Sequence, residues 1–147
     1  AWCIPYAALV AGTKLVLPGP KLDGPSLYEL MDTEQVTISA GVPTIWMGLI
    51  QTYEAALHSQ PNRWKLPLGM RSLVGGAAVP QALIKAFDKH GIWIMQGWGM
   101  TETSPLCTVS YTKAEFANAS EEEKYKRAAM AQKPRHCVTA VPAFGCF

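Results

Sequence analysis

Thr101 and Glu102 place a hydroxyl beside a carboxylate, directly after Gly97-Trp98-Gly99-Met100. The segment leaves a short apolar run, Ile92-Trp93-Ile94-Met95, that reads as a buried strand. A threonine hydroxyl is a short donor suited to a phosphate oxygen, and a glutamate oxygen is a hard anionic ligand suited to Mg²⁺. Trp98 offers a flat face for a heterocycle. The flanking glycines let the chain turn sharply and let a ligand approach the main chain. Stacking surface, phosphate contact and metal ligand within five residues point to a nucleotide site at the carboxyl end of a strand, where open parallel sheets bind ligands.

The elements that would position this segment can be read in order. Trp2–Val10 is apolar and alanine-rich, the end of a helix closed by Gly12. Lys14–Leu17 reads as a short strand stopped by Pro18-Gly19-Pro20. Pro25 marks a helix start, followed by Leu27, Leu30 and Met31 on one stripe. Val36–Ser39 is β-branched and reads as a second strand. From Thr44 a helix carries Trp46, Leu49, Ile50, Tyr53 and Leu57 at helical spacing, a stripe expected to pack in the core. Pro61-Asn62 and Leu66–Gly69 are loop. Arg71–Val74 is a third strand ending in Gly75-Gly76, and Pro80 opens a helix with Leu83, Ile84 and Phe87 inward. Ile92–Met95 is the fourth strand. The alternation predicts an α/β fold, a mostly parallel sheet with helices on its faces and right-handed crossovers. Beyond it, Ser120 and Glu123 form a capping box, and Glu122 with Lys126 and Glu123 with Arg127 are i, i+4 pairs. They predict a short solvated helix to about Gln132. Residues 133–147 lack periodicity and are expected to be an irregular tail, so the domain boundary is drawn at 132.

Three segments carry a resemblance. Gly97–Glu102 resembles the Gly-Tyr/Trp-Gly-x-Thr-Glu motif of the adenylate-forming (AMP-binding) enzymes: acyl-CoA synthetases, luciferases and peptide-synthetase adenylation domains. Leu73–Pro80 resembles that superfamily's adenine-side Gly-Gly-Ala-x-x-Pro segment, and Gly41-Val42-Pro43-Thr44 resembles the approach to its acyl-pocket helix. The order and approximate spacing match as well. The wording around Gly97–Leu106 and Leu17–Gly24 is most similar to the medium- and long-chain fatty acyl-CoA ligases.

The resemblance implies a fragment from the middle of the large N-terminal domain of a ligase. Such an enzyme joins a carboxylate to ATP as an acyl-adenylate, then passes the acyl group to CoA. It assigns Thr101 and Glu102 to catalysis, with Glu102 holding Mg²⁺. Gly75, Gly76, Ala77, Gly97, Trp98, Gly99, Met100 and Thr101 would bind ATP/AMP, with Trp98 stacking on adenine. Val42, Pro43, Thr44 and Gly97 would line the acyl site. The family's Ser/Thr/Gly-rich phosphate loop would lie before Ala1, and its ribose-binding aspartate and small-domain lysine after Phe147. The 147-residue chain alone is therefore expected to be inactive. A different reading is a non-catalytic remnant that binds nucleotide weakly. Within the superfamily, the alternative is an aryl-acid-CoA ligase or a luciferase-like member.

Composition bounds the rest. At 147 residues, with 49% hydrophobic and 16% charged side chains, the chain has the size of one domain and is poor in charge, as an interior piece would be. A net charge of +2, from 13 basic and 11 acidic residues, gives no basic patch for nucleic acid. The partners expected are small molecules: fatty acid, ATP and CoA. A homodimeric parent is compatible with the resemblance. No Cys-x-x-Cys spacing supports zinc or dithiol chemistry, and a reduced, cytoplasmic setting is the default. The uncharged run Gln35–Tyr53 contains Pro43 and changes period, so it reads as strand, turn and helix rather than a membrane span. His58, His90 and His136 are given no catalytic role.

Overall fold

The computed structural model describes residues 4–60, 65–103, 105–110, 114–129 and 138–140. Its β-branched and apolar segments fold into one sheet with the strand order β1-β2-β3-β4-β5. These strands are β1 (Ile38–Gly41), β2 (Arg71–Val74), β3 (Trp93–Gly99), β4 (Leu106–Ser110) and β5 (Val138–Ala140). β1 and β2 pair in parallel from Ile38↔Arg71, and β2 and β3 in parallel from Arg71↔Trp93. β3 and β4 are antiparallel, as are β4 and β5. Only β4 runs against the others, so the sheet is mostly parallel in strand direction, as expected.

Helices connect the parallel strands because their apolar residues recur at helical spacing and must be buried against the sheet. α1 spans Ile4–Ala11, α2 Gly24–Thr33, α3 Pro43–Ser59 and α4 Gln81–Asp88. α2 begins where the Asp23 carboxylate accepts from the Ser26 amide at 3.0 Å, and that bond holds the Asp23 carboxyl below its ordinary range. Pro43 sits in the first turn of α3, where its missing N–H is not needed. Trp46, Leu49, Ile50 and Tyr53 of α3 are buried, together with Leu83, Ile84 and Phe87 of α4. Trp46 meets Phe87 edge to face, with ring centroids 6.3 Å apart. These side chains form one core with Val74 and Ile94 of the sheet.

Side chains alternate between the faces of a strand. Ser72, Val74, Ile94 and Gln96, all buried, therefore occupy the face packed on the helices. Ile38, Arg71, Leu73, Trp93, Met95 and Gly97 belong to the opposite face.

Several expectations are corrected. Lys14–Leu17 is not a strand; Leu15 and Leu17 are exposed and pair with no ladder among the described residues. β-propensity alone does not make a strand without a neighbouring edge. The second strand starts at Ile38 rather than Val36, because the Val36 amide still donates to Met31 O at 3.0 Å, closing the end of α2. β4 and β5 were not foreseen; β5 lies inside the stretch expected to be irregular, and its pairing with β4 supplies the reason it is extended. The loop at Pro61-Asn62 and the rest of the tail lie outside the described residues.

The helix after Ser120, α5, spans Glu121–Ala128, with Ala129 as its C-cap. Its predicted cap holds: the Ser120 hydroxyl accepts from the Glu123 amide at 3.3 Å. The Glu123–Arg127 ion pair also forms, at 2.7 Å. The helix is not simply solvated, however. Tyr125, Ala128 and Ala129 pack against the core, the Tyr125 hydroxyl donates to the Asp88 carboxylate, and the Lys85 ammonium lies 5.3 Å from the Tyr125 ring centroid. The bond to Asp88 pushes the Tyr125 hydroxyl up to about 12 from its ordinary 10.0. A folded-state value above the unfolded one means that this contact stabilises the fold fully below pH 10 and is lost as pH rises through about 12. A phenolate absorbance titration is therefore expected to lose its latest-titrating tyrosine in Tyr125→Phe. If that phase persists, the assignment is wrong.

Candidate functional site

The parallel strands end at Gly41, Val74 and the Gly97–Gly99 exit, and a cleft of about 250 Å³ opens there. It is lined by Leu73, Gly75 and Gly76 on one side and Gly97, Gly99, Met100, Thr101, Pro105 and Leu106 on the other. The turn after β2 is made by Gly76 in the left-handed region, φ +81°, which a side chain would strain. The Gly75 amide donates to Gly41 O at 3.3 Å, continuing the β1–β2 ladder one residue past the strands.

The floor of the cleft is bare main chain for a steric reason. A Cβ on Gly99 would lie 1.8 Å from the Pro105 carbonyl oxygen. The close approach follows from an irregularity between Trp98 and Gly99, where the register passes from Trp98↔Thr108 to Gly99↔Leu106 and skips Cys107. A Cβ on Gly97 would meet Leu73 Cδ1 at 3.0 Å and Leu106 Cδ1 at 3.1 Å. Gly97 thus leaves the gap between two leucines open.

Beyond the strand, Thr101–Thr103 form a single 3-10 turn. The Thr103 hydroxyl accepts from the Met100 amide at 3.0 Å and lies 2.9 Å from Met100 O and 3.0 Å from Pro105 O, to which its proton is shared. This hydroxyl ties the turn to the start of β4 and so fixes where Thr101 and Glu102 emerge. Both are exposed, with side chains free to reach a ligand.

On the other face of β3, Gln96 accepts from the Val79 amide at 3.3 Å through its side-chain carbonyl, and its own amide donates to the Ser110 hydroxyl at 3.1 Å. The loop through Ala77 is thereby anchored to the middle of the sheet. Strand alternation places Trp98 on this same face, half-buried.

Of the residues singled out from sequence, the structure brings Gly75, Gly76, Gly97, Gly99, Met100 and Thr101 to the cleft. Ala77, Trp98 and Glu102 border it without lining it. Val42 and Thr44 are exposed and Pro43 is buried, and none of the three reaches the lining. Sequence reading missed Leu73, which lies on β2 against Gly97, and Pro105 and Leu106, which enter because β4 folds back beside β3. It also missed Thr103 and Gln96. Gln96 had a signal, a polar side chain at a position whose neighbours are all apolar. Among the described residues there is no cluster of three His, Cys, Asp or Glu side chains arranged for a metal, and no helix long and apolar enough to cross a membrane.

A glycine-rich turn after β2 and a glycine-rich end of the adjacent parallel strand β3, with a threonine and a glutamate beside them, match a known pattern. The family model described as AMP-binding enzyme matches residues 1–141. The chain belongs to the AMP-binding enzymes. It is 47% identical over 124 residues to a long-chain-fatty-acid–CoA ligase of Thermus thermophilus and 42% identical over 125 residues to a medium-chain-fatty-acid–CoA ligase of Ectopseudomonas oleovorans. Each match covers 84% of this AMP-binding chain and 22% of the relative, so the chain spans about a fifth of those proteins. The N-terminal domain of FACL13 from Mycobacterium tuberculosis superposes with a TM-score of 0.59 at 29% identity, over 75% of this chain and 26% of that one.

Proposed function

We propose that this chain is part of an ATP-dependent, AMP-forming fatty acyl-CoA ligase. The cleft at the carboxyl ends of the parallel strands, between the Gly75-Gly76 turn and the Gly97–Thr101 exit, carries the reading. The fatty-acid–CoA ligases among its relatives support the substrate class.

In this reading the Gly75–Ala77 main chain lies along the adenine, and Trp98 stacks on it from the adjoining strand. Met100 and Gly99 border the phosphates through their backbone, and the Thr101 hydroxyl donates to a phosphate oxygen. The acyl chain enters between Leu73 and Leu106 over Gly97, with Val42, Pro43 and Thr44 toward its outer end. Mg²⁺ fits Glu102, since this ion keeps most of its waters and takes one or two carboxylates together with phosphate oxygens, and Glu102 is an exposed carboxylate beside the proposed phosphate contact. When bound, the ion neutralises phosphate charge. The protein's own part is positioning and exclusion of water, the main sources of rate in such transfers. A cytoplasmic setting, the default for a chain without dithiol spacing, goes with this reading. Residues 1–132 are taken as the partial adenylation domain and 133–147 as a divergent tail, although the family match runs on to 141.

ATP–pyrophosphate exchange and acyl-CoA formation by the full-length protein, with medium-chain, long-chain and aromatic acids, test the proposal. Turnover with the aliphatic acids is expected, and none with the isolated 147 residues. Preference for an aromatic acid would move the protein to the aryl-acid ligases, and no exchange with any acid would leave a nucleotide-binding remnant.

A further inference from the structure

Ser39 of β1 and Ser72 of β2 are directly registered neighbours on the sheet face that carries α3 and α4. Ser72 is 0% exposed, and the Ser39 hydroxyl is buried as well. Neither hydroxyl has a hydrogen-bond partner among the described residues, and neither has the buried indole N–H of Trp46. The surroundings supply the reason. Alternation puts Met70 and Val74 next to Ser72 along the chain on this face, and Ile94 is registered with it on β3; all three are buried and apolar. The main chain of β2 is taken up by ladders to β1 and β3. Trp46 lies against Gly41, the next residue of β1 on the same face, where a Cβ would meet Nε1 at 3.0 Å. A buried hydroxyl or indole N–H without a partner is costly, so three on one face call for a ligand.

We propose that Ser39 and Ser72 hold an internal water molecule between β1, β2 and the start of α3, and that the Trp46 N–H donates into the same hydrated spot. Three observations select water. Neighbouring strands lie about 4.8 Å apart, too far for the opposed hydroxyls to meet and within the span of two bonds of about 2.8 Å through one water. The groups are two hydroxyls, which donate and accept, and an N–H, which only donates. Their ligand must therefore accept and donate in turn, and be neutral, since an ion in this apolar interior would find no compensating charge among them. Ser72 is closed off by the chain's own core, so no segment of the longer protein reaches it, and only a molecule of this size fits. The water joins α3 to the two strands whose ends, Gly41 and Val74, stand one pleat further on at the cleft. The proposal is independent of the reaction assigned above.

The test uses the full-length protein. A high-resolution crystal structure is expected to show an ordered water within hydrogen-bond distance of both serine hydroxyls. Oxygen-17 relaxation dispersion is expected to count fewer long-lived waters in the Ser39→Ala/Ser72→Ala double variant than in the unaltered protein. Each single alanine is expected to lower the melting temperature by a few degrees, because it takes a partner from the water and leaves the other hydroxyl buried. The double variant removes both hydroxyls together and is expected to lose clearly less than the sum of the singles. A dry contact, serine hydroxyls bonded to each other or to main-chain carbonyls, an unchanged count of long-lived waters, or strictly additive losses would each overturn the proposal. The crystal structure of the unaltered protein decides the matter even if a variant fails to fold.

Discussion

Glu102→Gln in the full-length protein is expected to slow acyl-adenylate formation about 100- to 1,000-fold, the loss typical of removing one group that stabilises charge in the transition state. Glutamine keeps the shape and removes the anion, so the change isolates charge. The carboxylate is exposed, one residue beyond the cleft lining, on a turn whose position is set by Thr103 and not by Glu102 itself. The melting temperature is therefore expected to stay within the small range of surface substitutions, about ±0.5 kcal/mol in stability. The Mg²⁺ concentration for half-maximal rate should rise, since a neutral amide is a weaker ligand for a hard cation. Exchange within about tenfold of the unaltered protein, with an unchanged Mg²⁺ requirement, would remove Glu102 from the metal site.

Gly99→Ala is expected to be the most damaging one-methyl change at this site. The new Cβ would fall 1.8 Å from the Pro105 carbonyl oxygen, 2.8 Å from its carbon and 2.9 Å from Leu106 Cα, all of them main-chain atoms. Nothing there can rotate away, so β3 and β4 must separate or the register must change. A cost of about 3 kcal/mol follows, the upper end for overpacking. The same displacement carries Thr101 and Glu102 out of place, so activity should fall with stability. Gly97→Ala is the informative contrast. Its Cβ would meet only the ends of Leu73 and Leu106, at 3.0 and 3.1 Å, and both can adjust by rotamer. Its stability cost is expected to stay below about 1 kcal/mol, while the narrowed gap raises KM for the acid. Urea unfolding and steady-state kinetics on the two variants check both statements. Equal stability losses would mean that the β3–β4 irregularity is not as described.

The elements legible in the sequence are those with strong local signals. α3 showed itself through Trp46, Leu49, Ile50 and Tyr53, because a helix buried on one side must repeat its apolar residues at that spacing, and all four are buried. β2 was read to the residue, since Leu73-Val74 runs directly into a glycine pair. The Ser120 cap was legible because it is made by side chains three residues apart. Lys14–Leu17 misled for the converse reason. Its residues favour a strand, but a strand exists only where another edge accepts its hydrogen bonds.

By itself, the sequence determined that two glycine pairs and a Thr-Glu pair stand toward strand ends in an α/β unit, and its motifs resembled those of the AMP-binding family. Those features depend on neighbours a few residues away, where residue type restricts backbone and chemistry directly. Only the tertiary structure decided that β4 and β5 fold back antiparallel, that Leu73, Pro105 and Leu106 complete the cleft, and which face of β3 the helices cover. These depend on register between strands distant in sequence, and a shift of one residue would have sent every side chain to the other face.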